Sequence, residues 1–349
     1  MAETKSGVDA ARVVPWLEAN VAGFQGPAEF TLIAGGHSNL TYGVTDANGA
    51  KYVLRRPPLG HVLESAHDMG REHKIIAALG PTDVPVPPAL AFCQDTSVND
   101  APFYVMGFVD GYIVRTADVA REKLTEDQRR IAGESLIDVM AAMHAVDVDA
   151  VGLGDLGRKE GYVERQLRRW IKQVKGSQEL TKRELPDVDY VHDYLASHIP
   201  QQQGAAAIVH GDYRLDNCMI GRDGNVAAVL DWELCTLGDP MADVGLLMVY
   251  WNDPSDDSTL LNVSATQVEG FPRKAELLER YEKVSGRDLS KVDYYVALGY
   301  WKLACILEGV YARYAAGVMG SANEAQTEGF RLNVERLAAS ARAAVDRLA

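Results

Sequence analysis

The stretch from Ile208 to Gly245 decides the fold and reads IVHGDYRLDNCMIGRDGNVAAVLDWELCTLGDPMADVG. It combines several aspartates with a histidine, an asparagine and two short apolar runs. Each apolar run predicts a strand whose flanking polar residues lie at one end of a small sheet. Oxygen-rich side chains grouped in this way are what magnesium-dependent phosphoryl-transfer chemistry requires.

Three residues of this stretch have separate expected roles. Asn217 lies five residues after Asp212, in a segment too short and turn-rich for a helix. The run VAAVL predicts a strand that delivers Asp231 to the same edge. Asn217 and Asp231 offer oxygen ligands that suit Mg²⁺, a hard cation that usually takes one or two protein ligands and completes its shell with water and phosphate. Asp212 is the candidate to receive and orient a substrate hydroxyl.

Length and composition set broad limits on the class of protein. A chain of 349 residues is long for one compact unit and predicts two domains. An apolar fraction of 47% is typical of a soluble globular protein and not of a disordered one. A formal charge of −14 argues against nucleic acid or an anionic membrane as a partner, because binding to phosphate depends on basic patches.

The N-terminus and the cysteines indicate a cytoplasmic location. The first residues, MAETKSGVDAARVVPWLEANV, are acidic where a secretory signal has a basic region and an apolar core. The apolar runs are too short to span a bilayer. Cys93, Cys218, Cys235 and Cys305 lack the paired spacing of a zinc site, so we expect reduced, mostly buried thiols.

The region before residue 110 predicts a small lobe rich in strands. EFTLIA, LTYGVTD and KYVLRR read as antiparallel strands, and Asn48-Gly49 is a strong hairpin signal. The segment SAHDMGREHKIIAALG predicts one helix ending at Gly80, and ALAFCQ and PFYVMGFV predict two more strands.

After Asp110-Gly111 the pattern changes to helices, among them a long one over DYYVALGYWKLACILEGVYARYAAG. The sequence therefore predicts an α+β protein with a nucleotide-binding lobe over residues 1–109 and a larger, mainly helical lobe over 110–349 that carries the catalytic and substrate-binding residues.

HGDYRLDN followed by LDWE resembles the catalytic and metal-binding loops of the aminoglycoside phosphotransferase family, relatives of the protein kinases. The equivalents in that family are H-x-D-x-x-x-x-N and D-x-[ED], and the spacing agrees with the kinase catalytic loop. The resemblance covers roughly residues 25 to 340. It implies a bilobal, protein-kinase-like fold, with ATP and Mg²⁺ as cofactors and a small-molecule hydroxyl as the phosphate acceptor.

The resemblance also implies which residues hold the nucleotide. GGHSN looks like the loop that covers the phosphates. YVLR occupies the place of the strand that carries the phosphate-binding cation, so Arg55 would contact the α- and β-phosphates. Glu72 of the next helix would pair with Arg55. PFYVMGFVDG resembles the hinge whose backbone holds adenine. The implied nucleotide-binding residues are Gly35, Gly36, Ser38, Asn39, Arg55, Glu72, Gly107, Phe108 and Val109.

Two residues depart from the family pattern. Arg55 stands where lysine is usual, and its planar guanidinium binds phosphate in a different geometry from an ammonium group. Gly107 stands where many relatives carry glutamate. Neither departure removes a metal ligand or the base.

The sequence is compatible with several classes of phosphate acceptor. YVLRRPP, SAHDMGREH and GYVERQLRRW make the chain similar to the kinase-like domain fused to certain acyl-CoA dehydrogenases, which implies a hydroxyacyl-CoA or another small hydroxylated metabolite. An aminoglycoside or other antibiotic is the alternative acceptor, and a non-catalytic pseudokinase is the alternative to an enzyme.

Several charged residues near the motif have a structural interpretation beside the functional one. We expect His210 and Asp243, and also Asp239, to hold the loop backbone, while Asp216 stays undecided. The arginines of RQLRRW form either a solvated helix face or a site for anionic groups such as CoA phosphates. These arginines are Arg165, Arg168 and Arg169.

Overall fold

The computed structural model describes residues 7–34, 39–59, 68–256, 265–317 and 324–348. The contacts divide the chain into two units, one of Met1–Gly111 with Val226–Leu234 and one of Tyr112–Asn225 with Cys235–Ala349. Val226–Leu234, which carries Asp231, thus packs with the first unit although it follows much of the second in the chain. The functional boundary at Val109 stays a prediction.

The first unit is built on a five-stranded antiparallel sheet. Its strands are β1 (Glu29–Ala34), β2 (Leu40–Thr45), β3 (Lys51–Arg56), β4 (Ala89–Cys93) and β5 (Phe103–Gly107), in the order β1-β2-β3-β5-β4. The helices are α1 (Ala10–Asn20), α2 (Met69–Leu79) and α3 (Thr96–Asn99). The core lies between α1 and the sheet, where Val13 and Leu17 pack with Tyr42, Leu54 and Phe103.

The hairpin predicted at Asn48-Gly49 is confirmed. Thr45 of β2 pairs with Lys51 of β3, and Gly49 has a φ of 82°, a conformation that glycine adopts at little cost. The Asp46 carboxylate accepts hydrogen bonds from the backbone N–H groups of Asn48 and Ala50. This turn fixes the register that brings Arg55 opposite Thr41 on one side and Tyr104 on the other.

The second unit is mainly helical. Its helices are α4 (Ala117–Lys123), α5 (Glu126–Ala145), α6 (Tyr162–Thr181), α7 (Pro186–Ser197), α8 (Met241–Tyr250), α9 (Lys274–Ser285), α10 (Val292–Ala315) and α11 (Glu324–Asp346). Its strands are β6 (Ala207–Val209), β7 (Cys218–Ile220) and β9 (Thr236–Gly238), while β8 (Val226–Val229) belongs to the first unit.

Helix α10 is the central packing element of the second unit and contacts α6, α7, α8 and α11. Gly245 lets α8 approach it closely, because a Cβ atom at this position would overlap the backbone carbonyl of Tyr295. Two helices that flank the catalytic loop are thereby fixed against each other.

The predicted α+β class, with a β-rich first unit and a mainly helical second one, is confirmed. The four cysteines are free and buried, as expected. Over the described residues we find no helix with the length and apolar character that a membrane span requires.

Candidate active site

Arg55 of β3 bridges two carboxylates within the first unit. Its Nε atom lies 3.1 Å from Oε2 of Glu72, and its Nη2 atom donates to Oδ1 of Asp231 at 2.5 Å. Only 12% of the Arg55 side chain is exposed, so a guanidinium here requires anionic partners. Although burial lowers the pKa of Arg55, nearby Tyr104, Glu72 and Asp231 raise it above its ordinary value, and Arg55 stays charged.

Glu72 is held from three sides. Besides Arg55, it accepts hydrogen bonds from the side-chain amide of Asn39 at 2.7 Å and from the Tyr104 hydroxyl at 3.0 Å. Burial raises the pKa of Glu72, and the charge of Arg55 opposes this effect. The helix that carries it starts where the Asp68 carboxylate caps the N–H of Arg71. The pairing of Arg55 with Glu72 that the family resemblance implies is present.

Asp231 has an uncommon backbone conformation. Its φ is +64°, which lies in the left-handed region. Residues other than glycine rarely adopt this conformation, because it costs them about 1–3 kcal/mol. The contact with Arg55 and the hydrogen bond from the Trp232 indole to the Val229 carbonyl at 3.1 Å hold the residues on either side of this bend. Strain of this kind is concentrated at functional sites.

Of the predicted nucleotide-loop residues, Gly35, Gly36 and Ser38 lie outside the described residues. Asn39 is described, and its side chain is buried against Glu72. Its amide therefore supports the helix α2 carboxylate, which sequence reasoning did not anticipate.

The predicted hinge follows β5. The N–H of Gly107 donates to the carbonyl of Pro88 at 2.8 Å, so this donor is already in use within the unit. Phe108 is 42% exposed, with the ammonium of Lys51 5.3 Å from the centre of its ring. Val109 is half-buried. The adenine contact predicted for these residues therefore does not use the N–H of Gly107.

In the second unit, the predicted catalytic loop brings Asp212 and Asn217 together. The loop leaves strand β6 and passes through a short 3-10 turn at Leu215–Asn217. The side-chain amide of Asn217 donates to the Asp212 carbonyl at 2.8 Å and to Oδ2 of Asp212 at 2.9 Å. Because the amide nitrogen of Asn217 faces Asp212, its oxygen is the atom suited to a metal.

Two further side chains surround Asp212. The Tyr250 hydroxyl at the end of α8 hydrogen-bonds to it, and burial raises the pKa of Tyr250, so the phenol stays protonated as a donor. The Nε atom of Arg214 lies 3.5 Å from Oδ2 of Asp212 and 3.0 Å from Oδ1 of Asp216, and its guanidinium lies 4.7 Å from the Tyr250 ring centre. Tyr250 was not predicted, because it lies far from the motif in the chain and within a run of apolar residues.

Asp243 of α8 tethers the start of this loop. Its carboxylate accepts hydrogen bonds from the backbone N–H of His210 at 2.7 Å and of Gly211 at 2.9 Å. His210 is fully buried, and its Nδ1 atom lies 3.3 Å from the N–H of Asp212. The structural roles expected for His210 and Asp243 are confirmed.

Asp243 is itself held by a second buried histidine. His144 of α5 places Nε2 3.4 Å from Oδ2 of Asp243 and Nδ1 2.8 Å from the Tyr281 hydroxyl. Burial lowers the pKa of His144, against the opposing effect of Asp243. Asp239 also has a structural role, because it accepts hydrogen bonds from Tyr295 and from the N–H of Met241.

A small cavity of about 30 Å³ opens beside Asp216, with room for about two water molecules. Asp216, which the sequence left undecided, faces this cavity together with Arg214 and Tyr250. Burial raises the pKa of Asp216, and Arg214 opposes this. The lining residues are Val114, Arg115, Arg214, Leu215, Asp216, Leu247, Tyr250, Trp251, Ala265 and Thr266.

The three arginines of RQLRRW lie on α6. Arg168 and Arg169 are exposed, and the guanidinium of Arg169 lies 4.9 Å from the ring centre of Trp170. Arg165 is half-buried and donates to the carbonyl of Arg158 at 2.7 Å. Both interpretations of this helix face therefore stay open.

Comparison with known families assigns the chain to a class of proteins. Residues 29–278 match the model of a phosphotransferase enzyme family. This match begins at β1, includes both predicted catalytic motifs and ends within the first half of α9.

Among solved structures, the chain is similar to a Ralstonia eutropha JMP134 protein provisionally described as an aminoglycoside phosphotransferase. The two share 34% identity over 97% of this chain and 98% of the other, with a TM-score of 0.80. Spectinomycin phosphotransferase in complex with ADP and spectinomycin covers 96% of this chain and 98% of its own, with 14% identity and a TM-score of 0.57. The second comparison shows a common fold alone.

Among curated proteins, the chain is 34% identical to acyl-CoA dehydrogenase family member 10 of Mus musculus over 306 residues. The match covers 86% of this chain and 28% of the mouse protein. The chain spans between 28% and 40% of the first curated relatives it matches. It thus corresponds to a part of those longer proteins.

Proposed function

This chain belongs to the phosphotransferase enzyme family, and we propose that it moves the γ-phosphate of ATP to a hydroxyl group of a small molecule in a Mg²⁺-dependent reaction. The observation that carries the proposal is the contact of Asn217 with Asp212, because it joins a hydroxyl-orienting carboxylate to a metal-binding amide. The family's protein-kinase-like fold supports the proposal.

Asp212 is the proposed base. The acceptor oxygen forms a bond to the γ-phosphorus while the bond from that phosphorus to the bridging oxygen of ADP breaks, and the hydroxyl proton passes to the Asp212 carboxylate. Since the transition state of phosphoryl transfer is loose, orientation and late proton acceptance suffice. Tyr250 and Asn217 donate to Asp212 and fix the direction of its carboxylate.

Arg55 is the proposed contact of the α- and β-phosphates, and its ion pair with Glu72 holds it in place. A charged, five-donor guanidinium suits phosphate oxygens. The loop residues Gly35, Gly36, Ser38 and Asn39 and the hinge residues Gly107, Phe108 and Val109 complete the proposed nucleotide site. The ADP complex of the spectinomycin phosphotransferase supports an adenine nucleotide as the cofactor.

Asn217 and Asp231 are the proposed ligands of Mg²⁺, which when bound would neutralise phosphate charge. The donor chemistry fits, because both residues carry oxygen atoms, the type of ligand that Mg²⁺ prefers. In each residue one polar atom is already engaged by the protein, the amide nitrogen of Asn217 and Oδ1 of Asp231. The remaining oxygen of each is thereby oriented for an external ligand.

For the acceptor we propose a hydroxyacyl-CoA-like metabolite. The long relatives named as acyl-CoA dehydrogenases support it, because a domain fused to such an enzyme is expected to act on related acyl compounds. An aminoglycoside or another antibiotic is the second candidate, supported by the name of the Ralstonia eutropha structure.

The experiment incubates the purified chain with Mg²⁺ and ATP in the presence of hydroxyacyl-CoAs, aminoglycosides or neither, and product formation is measured by mass spectrometry. We expect one phosphate to be added to a hydroxyacyl-CoA and none without Mg²⁺. Phosphorylated aminoglycosides alone would favour the second candidate.

A pseudokinase that binds nucleotide without transfer is the alternative to an enzyme, and Arg55 in place of lysine is the feature that favours it. Such a protein would show an ATP-dependent rise in melting temperature and no phosphorylated product with any acceptor.

A further inference from the structure

Lys302 reaches the catalytic loop from helix α10, some 90 residues further along the chain. Its Nζ atom donates to the carbonyl of Gly211 at 2.8 Å. Gly211 is the residue immediately before Asp212, so this contact acts on the backbone that carries the proposed base. The sequence places Lys302 among packing residues of a long helix and gives no signal for the contact.

Gly211 is held at both of its backbone polar groups, which belong to two successive peptide units. Its N–H donates to Asp243 of α8, and its carbonyl accepts from Lys302 of α10. Gly211 has a φ of +84°, a conformation open to glycine and strained for other residues. A glycine in this region does not fix its own conformation, because its backbone is permissive. The two side chains fix it instead.

Lys302 lies among charged side chains of the second unit. Burial, the largest effect, lowers the pKa of Lys302 below its ordinary value and Arg169 lowers it further, while the carboxylates of Asp212 and Asp243 oppose this. A charged donor gives a stronger hydrogen bond to a carbonyl than a neutral one. An ammonium also offsets the two nearby carboxylates, which a neutral side chain cannot do.

We propose that Lys302 is a positioning residue of the phosphoryl-transfer site, which holds the Gly211 carbonyl so that Asp212 faces the acceptor hydroxyl. The inference rests on the proposed function in its final step, the effect on turnover. The fixing of the loop by Lys302 is a separate property that is measured without any acceptor.

The first measurement is hydrogen–deuterium exchange of the peptide covering Gly211–Asn217 in the wild type, Lys302→Met and Lys302→Arg. Methionine keeps the length of the side chain and removes both charge and donor, whereas arginine keeps both. We expect exchange to be at least about threefold faster in Lys302→Met, since a charge-assisted hydrogen bond is lost. In Lys302→Arg we expect it within about twofold of the wild type.

The second measurement is the slow hydrolysis of Mg-ATP, with water as the acceptor. In Lys302→Met we expect kcat to fall about 10- to 100-fold with KM for ATP unchanged, and most of the loss to be recovered in Lys302→Arg. A purely structural role would lower the melting temperature without separating kcat from KM. Lys283→Met, at an exposed position of α9, is the control and should match the wild type in both measurements.

Unchanged exchange of the Gly211–Asn217 peptide in Lys302→Met overturns the proposal, and so does a Lys302→Arg variant as impaired as Lys302→Met. If Lys302→Met does not fold, Lys302→Gln replaces it under the same expectations, because its amide is too short to keep the contact. If the wild type phosphorylates no acceptor and hydrolyses no ATP while Lys302→Met shows faster exchange, the proposed function fails and the fixing of the loop by Lys302 stands.

Discussion

The guanidinium of Arg55 forms a buried ion pair with Glu72, with 3.1 Å between Nε and Oε2. The pair joins the central strand β3 to helix α2, and the same guanidinium contacts Asp231 through Nη2. One guanidinium thus holds both the helix carboxylate and the carboxylate proposed as a metal ligand, and it occupies Oδ1 of Asp231.

Replacement of Arg55 by methionine should destabilise the first unit. Removing one partner of a buried pair leaves an uncompensated charge, which typically costs about 3–5 kcal/mol. Urea unfolding measures the change, and Arg55→Lys should lose less, because an ammonium keeps the charge but not the forked contact. Arg121→Met, at an exposed position, is the control with no expected change. An Arg55→Met midpoint equal to that of the wild type would show that Glu72 does not depend on the pair.

Replacement of Asp212 by asparagine should remove turnover and leave nucleotide binding intact. Loss of a general base typically lowers kcat about 100- to 10,000-fold, while Asp212 makes no predicted contact with ATP. Initial rates with a phosphorylated acceptor and the ATP-dependent melting shift measure the two properties. Asp216→Asn is the control for a carboxylate of the same loop, and turnover retained in Asp212→Asn would remove Asp212 from the role of base.

Replacement of Tyr250 by phenylalanine tests the orientation of Asp212 with a smaller change. The variant loses only the hydroxyl that donates to the carboxylate, and a typical hydrogen bond of about 1 kcal/mol predicts a fall of about fivefold in kcat. Tyr190→Phe, on the exposed side of α7, should have no effect on kcat. A Tyr250→Phe enzyme with the kcat of the wild type would mean that Asn217 and Arg214 orient Asp212 without the phenol.

His144 predicts an acid-sensitive contribution to stability. Its pKa in the folded protein is lowered below the ordinary value of 6.5, chiefly by burial. The unfolded chain therefore binds the proton more readily, so the contribution is present above pH 6.5 and is lost as the pH falls below it. Urea unfolding at about pH 7.5 and about pH 5.5 should show a smaller loss in His144→Asn than in the wild type. Equal losses would mean that His144 does not titrate on unfolding.

Local signals in the sequence were sufficient to predict most of the secondary structure of the first unit. Asn48-Gly49 fixed the hairpin, and the strand bounds of β1 and β3 agree with those expected because each is flanked by turn residues. The helix carrying Glu72 is also present, and its pairing with Arg55 follows from the family resemblance. Helix α9 was not predicted, although Leu277, Tyr281 and Val284 have the spacing of one helix face.

Contacts between distant residues could not be predicted from the sequence. Lys302, Tyr250 and His144 act on the catalytic loop only because α10, α8 and α5 pack around it, and each lies in a segment whose pattern indicates a helix core. The left-handed backbone of Asp231 was also not predicted, because most aspartates adopt other conformations even though aspartate is enriched in this region among non-glycine residues. Charge and spacing identify the candidate ligands and base, while the residues that orient them require the tertiary structure.

The most direct test of the central claim is the transfer of radiolabel from γ-labelled ATP to a hydroxyacyl-CoA by the wild type and by Asp212→Asn, with and without Mg²⁺. We predict a labelled product only with the wild type and Mg²⁺, and its hydroxyl group as the site of the phosphate. Nucleotide binding without a labelled product, over hydroxyacyl-CoAs and aminoglycosides alike, would contradict the assignment as a phosphotransferase.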